Sequence, residues 1–434
     1  MKKIFNRKTF NILSIGLLLG IAVASCEDKP EVYEFPVSEY FYEIPDVPVT
    51  EDYVIGVQYD VKRKDSANQV WWDNGKQIPQ PYTGTPLLGE YDMKDDLNRM
   101  LRQQLDWGKE GGIDFFIFSI GGRGYNDTIL MKWEEIWQEG DPRVVIRFDP
   151  GYRYPSATGD TLMKNKAVMD SLKFEFDSLY TNVMTKNFAY KNKNTNQPVM
   201  ILCNYVDKPG HILNLQEYIN LFRGKNTYPG KDRGTENDIW MIGELPSNWS
   251  SPENWGYRDE TTIGRVKGDT ISVFEAVTIT NFEFNNYDRY LGMYSFYDYN
   301  NRYWQERLLP RGKEYIPMIF PAYDNRVREP LSTNFLIPRW KDNGTEEENG
   351  PYVVSSNYVE VVDGVSTEIN TLYNLSGTKK NPYQELANVA KRNVGPSRII
   401  ILRSWNNFGE GNTLEPAVEY QKDYLRYTKQ FFKK

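Results

Sequence analysis

The chain has 434 residues, which is room for one large domain or two. A formal net charge of −7 and the lack of any long basic run argue against nucleic acid or an anionic membrane surface as a partner. The single histidine, His211, and the two cysteines argue against a zinc site and against any histidine triad built without His211, so chemistry here falls to carboxylates.

In chain order, Lys2, Lys3, Arg7 and Lys8 form a basic start, followed by an apolar run from Ile12 to Ala24. That run is shorter than the roughly 20 residues a membrane span needs. It closes on Val23-Ala24-Ser25-Cys26, which resembles the lipobox of bacterial lipoproteins, where the cysteine is lipidated and becomes the new N-terminus. Residues 1–25 are therefore expected to be a signal peptide and Cys26 a lipidation site. Glu27-Asp28-Lys29 resembles the acidic signal that sends some lipoproteins to the cell surface. An outer-membrane protein, exposed at the surface through that signal, is the expected location. Cleavage removes four basic residues and no acidic one, moving the formal charge from −7 to −11. Cys203, within VMILCNYV, is then the remaining thiol and reads as a small core residue.

Residues 26–50 carry repeated Pro and Glu without a usable period, as an extended tether does. From there to the end, eight apolar runs recur: Val54–Tyr59, Ile113–Ile120, Val144–Phe148, Val199–Tyr205, Ile239–Ile242, Val273–Thr280, Tyr315–Phe320 and Ile399–Leu402. Continuous β-branched and aromatic runs fit strands buried on both faces. Helical spacings lie between most of them, at Leu97, Leu101 and Leu105, at Phe176, Leu179, Tyr180 and Val183, and at Leu215, Tyr218, Ile219 and Phe222 behind an Asn214–Glu217 capping box. Another helical pattern begins after Pro416 and includes Tyr424, Leu425, Thr428, Phe431 and Phe432. This alternation predicts a single α/β domain over 51–434, a (β/α)8 TIM barrel. Long loops are expected at its C-terminal face. Two stretches, Pro246 to Asp269 and Glu329 to Lys380, are long and irregular, as functional loops often are, and the second contains the strand-like YVVSSNYVEVV.

In such a barrel the polar residues that end the strands converge on one mouth. They are Asp60, Ser119 to Gly122, Asp149, Asn204 with Tyr205, Glu244, Asn281 with Glu283, Tyr323-Asp324 with Arg326, and Trp405 to Glu410. Each also has a plainer reading. Asp149 precedes Pro150-Gly151 and would shape a turn. Glu244, before Leu245-Pro246, could face solvent. Glu415, before Pro416, would support a helix N-terminus through the dipole, and His211 reads as a loop residue. Trp71-Trp72, in a polar segment, suit a sugar platform. The high aromatic content fits a sugar cleft and a large barrel core equally well.

Four segments then point to a family. PLLGEYD (86–92), GIDFFIFSIGG (112–122), PAYDNRVRE (321–329) and SWNNFGEGNTLEPA (404–417) resemble, in order and spacing, the glycoside hydrolase family 99 type domain. That family includes endo-α-1,2-mannosidases and mannanases, and a group assigned as glycosyltransferases in polysaccharide loci. In the mannosidases two glutamates three residues apart act together. The second protonates the glycosidic oxygen, and the first engages the sugar 2-hydroxyl to assist its attack on C1. The resemblance places the second on Glu410 and the first on Asn407, which can hold a hydroxyl but cannot take its proton. Phe408 and Gly409 stand where the family pattern has Trp and His.

The resemblance implies a glycoside hydrolase acting on α-mannoside-type or related polysaccharide or N-glycan substrates, with Glu410 as general acid/base. Glu244 or Asp149 would supply the second carboxylate. Asn407 would bind a sugar hydroxyl, with Trp71, Trp405 and Tyr323 as platforms and Arg326 orienting a polar group. Asn406, Asp324, Trp72, Asn204, Asn281 and Asp60 would complete the cleft. The alternative is a surface glycan-binding protein on a disabled barrel. A transferase ranks third, because nothing resembles a nucleotide site. The expected partners are an oligosaccharide or polysaccharide, the outer membrane through the lipid anchor, and other glycan-uptake proteins. No metal or organic cofactor is expected.

Overall fold

The computed structural model describes residues 42–60, 62–65, 70–73, 76–77, 84–89, 91, 97–120, 125–149, 166–203, 219–220, 222–223, 238–245, 271, 273–279, 290–324, 335–338, 352–355, 357–362, 365–370 and 382–434. The expected signal peptide, Cys26 and most of the expected tether lie outside them. No helix among the described residues is long and apolar enough to cross a membrane.

The apolar runs become parallel strands: β1 (Val54–Tyr59), β2 (Phe115–Ile120), β3 (Arg143–Phe148), β4 (Val199–Leu202), β5 (Trp240–Leu245), β6 (Ala276–Ile279), β7 (Glu314–Tyr315 and Met318–Ile319) and β8 (Ile399–Leu402). Each pairs with its sequence neighbour, and β1 pairs in parallel with β8, Val54 opposite Ile399 and Val57 opposite Leu402. The ring closes through β7, in two pieces. Glu314-Tyr315 pair with β6 and Met318-Ile319 with β8. Between them Ile316 N–H donates to Val277 O at 2.8 Å, and Pro317 O accepts from Ile401 N–H at 2.9 Å. Pro317 has no N–H to offer, so the strand changes partner at the residue where a ladder bond is missing. The expected (β/α)8 barrel is the observed fold.

Side chains alternate across each strand, and the inward set forms the core. Val54, Phe115, Ile117, Val145, Val199, Ile201, Trp240, Ile242, Ala276, Met318, Ile399 and Ile401 pack together inside the ring. Gly56 is part of this fit, because a Cβ there would meet the Phe115 ring 2.1 Å away. Gly56→Ala is expected to cost about 1–3 kcal/mol by overpacking, read as a lowered urea midpoint. An unchanged midpoint would mean that the ring moves aside freely.

Outside the barrel lie α1 (Leu97–Glu110), α2 (Tyr125–Ile136), α3 (Lys166–Leu179), α4 (Tyr290–Leu308), α5 (Pro382–Asn393) and α6 (Asp423–Phe432). The Leu101–Leu105 face of α1 is buried as its spacing requires, and α3 runs into a π-turn at Tyr180–Met184. Ile219 and Phe222 are helical and buried, while the capping box before them lies outside the described residues. The strand-like segment of the long insertion forms strands Tyr352–Ser355 and Asn357–Val362. One expectation needs correction: no helix begins directly after Pro416. The chain instead makes turns and an Ala417–Gln421 bridge, and α6 starts only at Asp423.

Glu43–Lys434 forms one compact unit. Its first residues fall within the stretch read as tether, yet they dock on α5. Ile44 is buried, Val47 N–H donates to Asn388 Oδ1 at 3.2 Å, and Lys391 Nζ donates to Val47 O at 2.6 Å. Burial pulls the Lys391 amine down to about 8, with Asp46 opposing. A depressed amine contributes stability above its ordinary 10.5 and loses it as pH falls through about 8. Between about pH 10.5 and 8 the wild type should therefore lose stability relative to Lys391→Met. Melting both proteins across that range checks this, and parallel curves would refute it.

Candidate active site at the barrel mouth

Carried upward two residues at a time, the inward register leaves the apolar core and meets a polar layer. Gln58 follows Val54 and Gly56, Ser119 follows Phe115 and Ile117, Arg147 follows Val145, and Glu244 follows Trp240 and Ile242. Arg147 reaches over β4 to Glu244. Its Nε donates to Glu244 Oε2 at 2.6 Å, its Nη2 bonds Glu244 Oε1, and its Nη1 donates to Ser119 Oγ at 3.1 Å. This is a bidentate, charge-assisted pair. The Glu244 side chain is 4% exposed and the Arg147 side chain 18%. Burial opposes the Arg147 charge, but Glu244 beside it outweighs that loss and holds the guanidinium above its ordinary value. Cys203 is buried next to this pair, with its Sγ donating to Phe148 O at 3.3 Å, as the core reading expected. Burial pushes its thiol well up, which keeps it unreactive.

Above β8 the chain turns at a cis Arg403–Ser404 peptide into a short hairpin, Asn406-Asn407 paired with Asn412-Thr413. Ser404 stitches its base, donating from N–H to Asn412 O at 2.7 Å while its Oγ accepts from Asn407 N–H at 2.9 Å. Glu410 sits at the tip, 15% exposed. Three donors converge on its Oε2: Asn407 Nδ2 at 2.9 Å, Arg403 Nη2 at 3.3 Å and Asn412 Nδ2 at 3.4 Å. With both amides donating to the carboxylate, Asn407 Oδ1 and Asn412 Oδ1 are left buried without a hydrogen-bond partner. Orphaned buried acceptors are uncommon in folded proteins, and here two flank one carboxylate.

A second network fixes this hairpin against β1. Trp405 N–H donates to Gln58 O at 2.7 Å, continuing the β1–β8 ladder upward. The Asn406 amide then stands in for a strand: its Oδ1 accepts from Asp60 N–H and its Nδ2 donates to Asp60 O, both at 3.0 Å. Asn406 Nδ2 also reaches Tyr91 OH at 2.9 Å, and Tyr91 donates to Glu415 Oε2 at 2.6 Å. Burial first, then Glu415, push the Tyr91 hydroxyl well above its ordinary range, so it remains a donor. Glu415 is fully buried and also accepts from Gln104 of α1 at 3.4 Å. It is a strut between the loop and α1, and the helix-dipole role expected of it has no helix to act on.

The sequence-predicted site residues divide on this geometry. Glu410 and Asn407 stand together at the mouth. Glu244 is in the mouth but engaged by Arg147, and Asp149 is buried beside the end of β3, its N–H donating to Ile120 O at 2.8 Å. Trp405 is no platform: it is fully buried, edge-on to Phe116 at 5.0 Å, so its faces are spent on the core. Asn406 is likewise committed to the Asp60 backbone and Tyr91. Tyr323 is half-buried, with its ring 6.2 Å from Phe320, and Asp324 follows it on the same short strand. Trp71 and Trp72 lie on strand Val70–Asp73 of a small antiparallel sheet that follows β1 in the chain. Asn204, Asn281 and Arg326 lie outside the described residues. Arg403, Arg147 and Asn412 went unnoticed in the sequence. An arginine inside the apolar run RVVIRF was the available signal for Arg147, since such a residue needs a buried partner. Among the described residues no group of three or more His, Cys, Asp or Glu is placed to hold a metal ion.

The barrel is similar in fold to solved structures that carry the likeness across most of the chain. One described as a glycoside hydrolase-like protein is 17% identical, covers 91% of this chain and 97% of its own, and superposes with a TM-score of 0.57. The GH99 endo-alpha-mannosidase from Bacteroides thetaiotaomicron, in complex with bis-tris-propane, is 15% identical, covers 88% and 97%, and gives 0.52. A family model described as Glycosyltransferase WbsX matches residues 374–428, the segment that spans α5, β8 and the Glu410 hairpin. No curated protein matches the chain. The resemblance first seen in the motifs thus holds at the level of the fold.

Proposed function

We propose that the protein is a lipid-anchored glycoside hydrolase whose cleft is the barrel mouth and whose acid/base is Glu410. The observation that carries this reading is the preorganised Glu410. A carboxylate at a strand end, fixed by Arg403, Asn407 and Asn412 yet open to solvent, is built to meet a ligand. The substrate class is an α-mannoside-type polysaccharide or N-glycan, by analogy with the endo-alpha-mannosidase that shares the fold.

Export as an outer-membrane lipoprotein anchored at Cys26 belongs to the same proposal and is supported by the N-terminal sequence. Partners in glycan uptake would follow from that location. The second reading, a glycan-binding protein, is favoured by one observation, the amide at position 407 where the family has a carboxylate. Incubating the wild type with α-mannans and N-glycans and analysing the products separates the two. Shortened glycans support the hydrolase, and binding without any product would sink it.

A further inference from the structure

Resting on the hydrolase reading, we infer that Asp60 is the second carboxylate of the site, the group that takes the proton Asn407 cannot. In the step it serves, an oxygen nucleophile, water or a sugar hydroxyl, forms a bond to the anomeric carbon while the bond from that carbon to the leaving oxygen breaks. Asp60 receives the proton of the attacking oxygen, and the proton on Glu410 passes to the leaving oxygen. Charge and atoms balance with no further reactant.

Ring position is the first ground. β1 is the immediate neighbour of β8, whereas β3 and β5 each stand three strands from it around the barrel. Adjacent strands are about 4.8 Å apart, so the end of β1 that carries Asp60 and the Glu410 hairpin that rises from β8 leave the barrel side by side. Asp149 and Glu244 start from across the ring. Register is the second ground. Gln58 O accepts from Trp405 N–H, and Asp60 both donates to and accepts from the Asn406 amide, so the backbone stays extended past Tyr59. Asp60 therefore keeps the inward side that Val54, Gly56 and Gln58 occupy. Exposure is the third. Asp60 and Glu410 are partly exposed, whereas Asp149, Glu244 and Glu415 are buried. Finally, the Asn406 clamp makes the end of β1 and the Glu410 hairpin one unit, so the separation of the two carboxylates is fixed before a ligand arrives.

The test uses the full chain and a glycan from the panel that the wild type cleaves. Asp60→Asn should lower kcat/KM about 10²–10⁴-fold and remove the acid limb of its pH profile, while calorimetric affinity for the glycan changes little. Azide, which attacks without losing a proton, should restore turnover and yield a glycosyl azide. Asp60→Glu, which keeps the carboxylate, should recover part of the rate, guarding against a folding defect. An active Asp60→Asn within tenfold of wild type, with its acid limb intact, would overturn the assignment alone. A wild type that leaves every glycan whole would overturn the hydrolase reading, and the assignment with it.

Discussion

Glu410→Gln is expected to abolish glycan cleavage, by at least the 10²–10⁴-fold that a positioned acid/base contributes, while leaving glycan affinity almost unchanged. Glutamine fills the same space at the hairpin tip, and its carbonyl can still accept from Asn407, Arg403 and Asn412. What it cannot do is deliver a proton to a departing oxygen. Loss should therefore fall on kcat, because an interaction made only in the transition state has been removed. The neighbouring residue makes the result informative. Asn407 donates to Glu410 at 2.9 Å, so in this chain the position holds a positioning hydrogen bond where the family pattern places a second charge. A glutamine variant that cleaves as fast as wild type would mean that Glu410 is only part of a binding surface. Reducing-end release and calorimetry on the same two proteins decide the matter.

Much of this architecture was legible in the residues because burial on both faces leaves continuous apolar runs, and each of the eight runs overlaps an observed strand. The strand ends were legible too, since a polar residue directly after such a run has one place to go. Contacts that cross the barrel were not. Nothing in RVVIRF and WMIGEL says that Arg147 and Glu244 face each other over β4, because pairing at a distance of 97 residues is set by ring closure. Trp405 misled for a related reason. It sits in a polar segment, yet Phe116 on another strand supplies the apolar surface that buries it. Asn406 read as site polarity and Glu415 as a helix-dipole residue, and both prove to hold the loop in place, because a loop that leaves the ladder must still satisfy its backbone and finds partners in side chains. The helix expected after Pro416 failed on the same point: Leu414 and Glu415 N–H donate back to Trp405 O, which keeps the segment folded onto the hairpin.

The Arg147–Glu244 pair under the mouth should dominate stability. Glu244→Leu leaves the Arg147 charge without its partner in a site where only 18% of the side chain meets solvent. Breaking a buried pair from one side costs about 3–5 kcal/mol, so a large fall in the urea midpoint is expected. Arg147→Met should cost a comparable amount, because Glu244 then loses both of its guanidinium bonds. The double variant Arg147→Met/Glu244→Leu should regain most of that loss, since it removes both desolvated charges and adds apolar volume above Ile242 and Val145. Near-additive single effects would show instead that each residue acts through separate contacts, with Ser119 the first candidate for Arg147. If the pair serves only to hold the barrel together, the double variant will also cleave glycan at the wild-type rate. If it forms the floor against which a sugar is oriented, stability will return and cleavage will not. Stability and turnover measured on the same three variants therefore separate a structural ion pair from a working surface of the cleft.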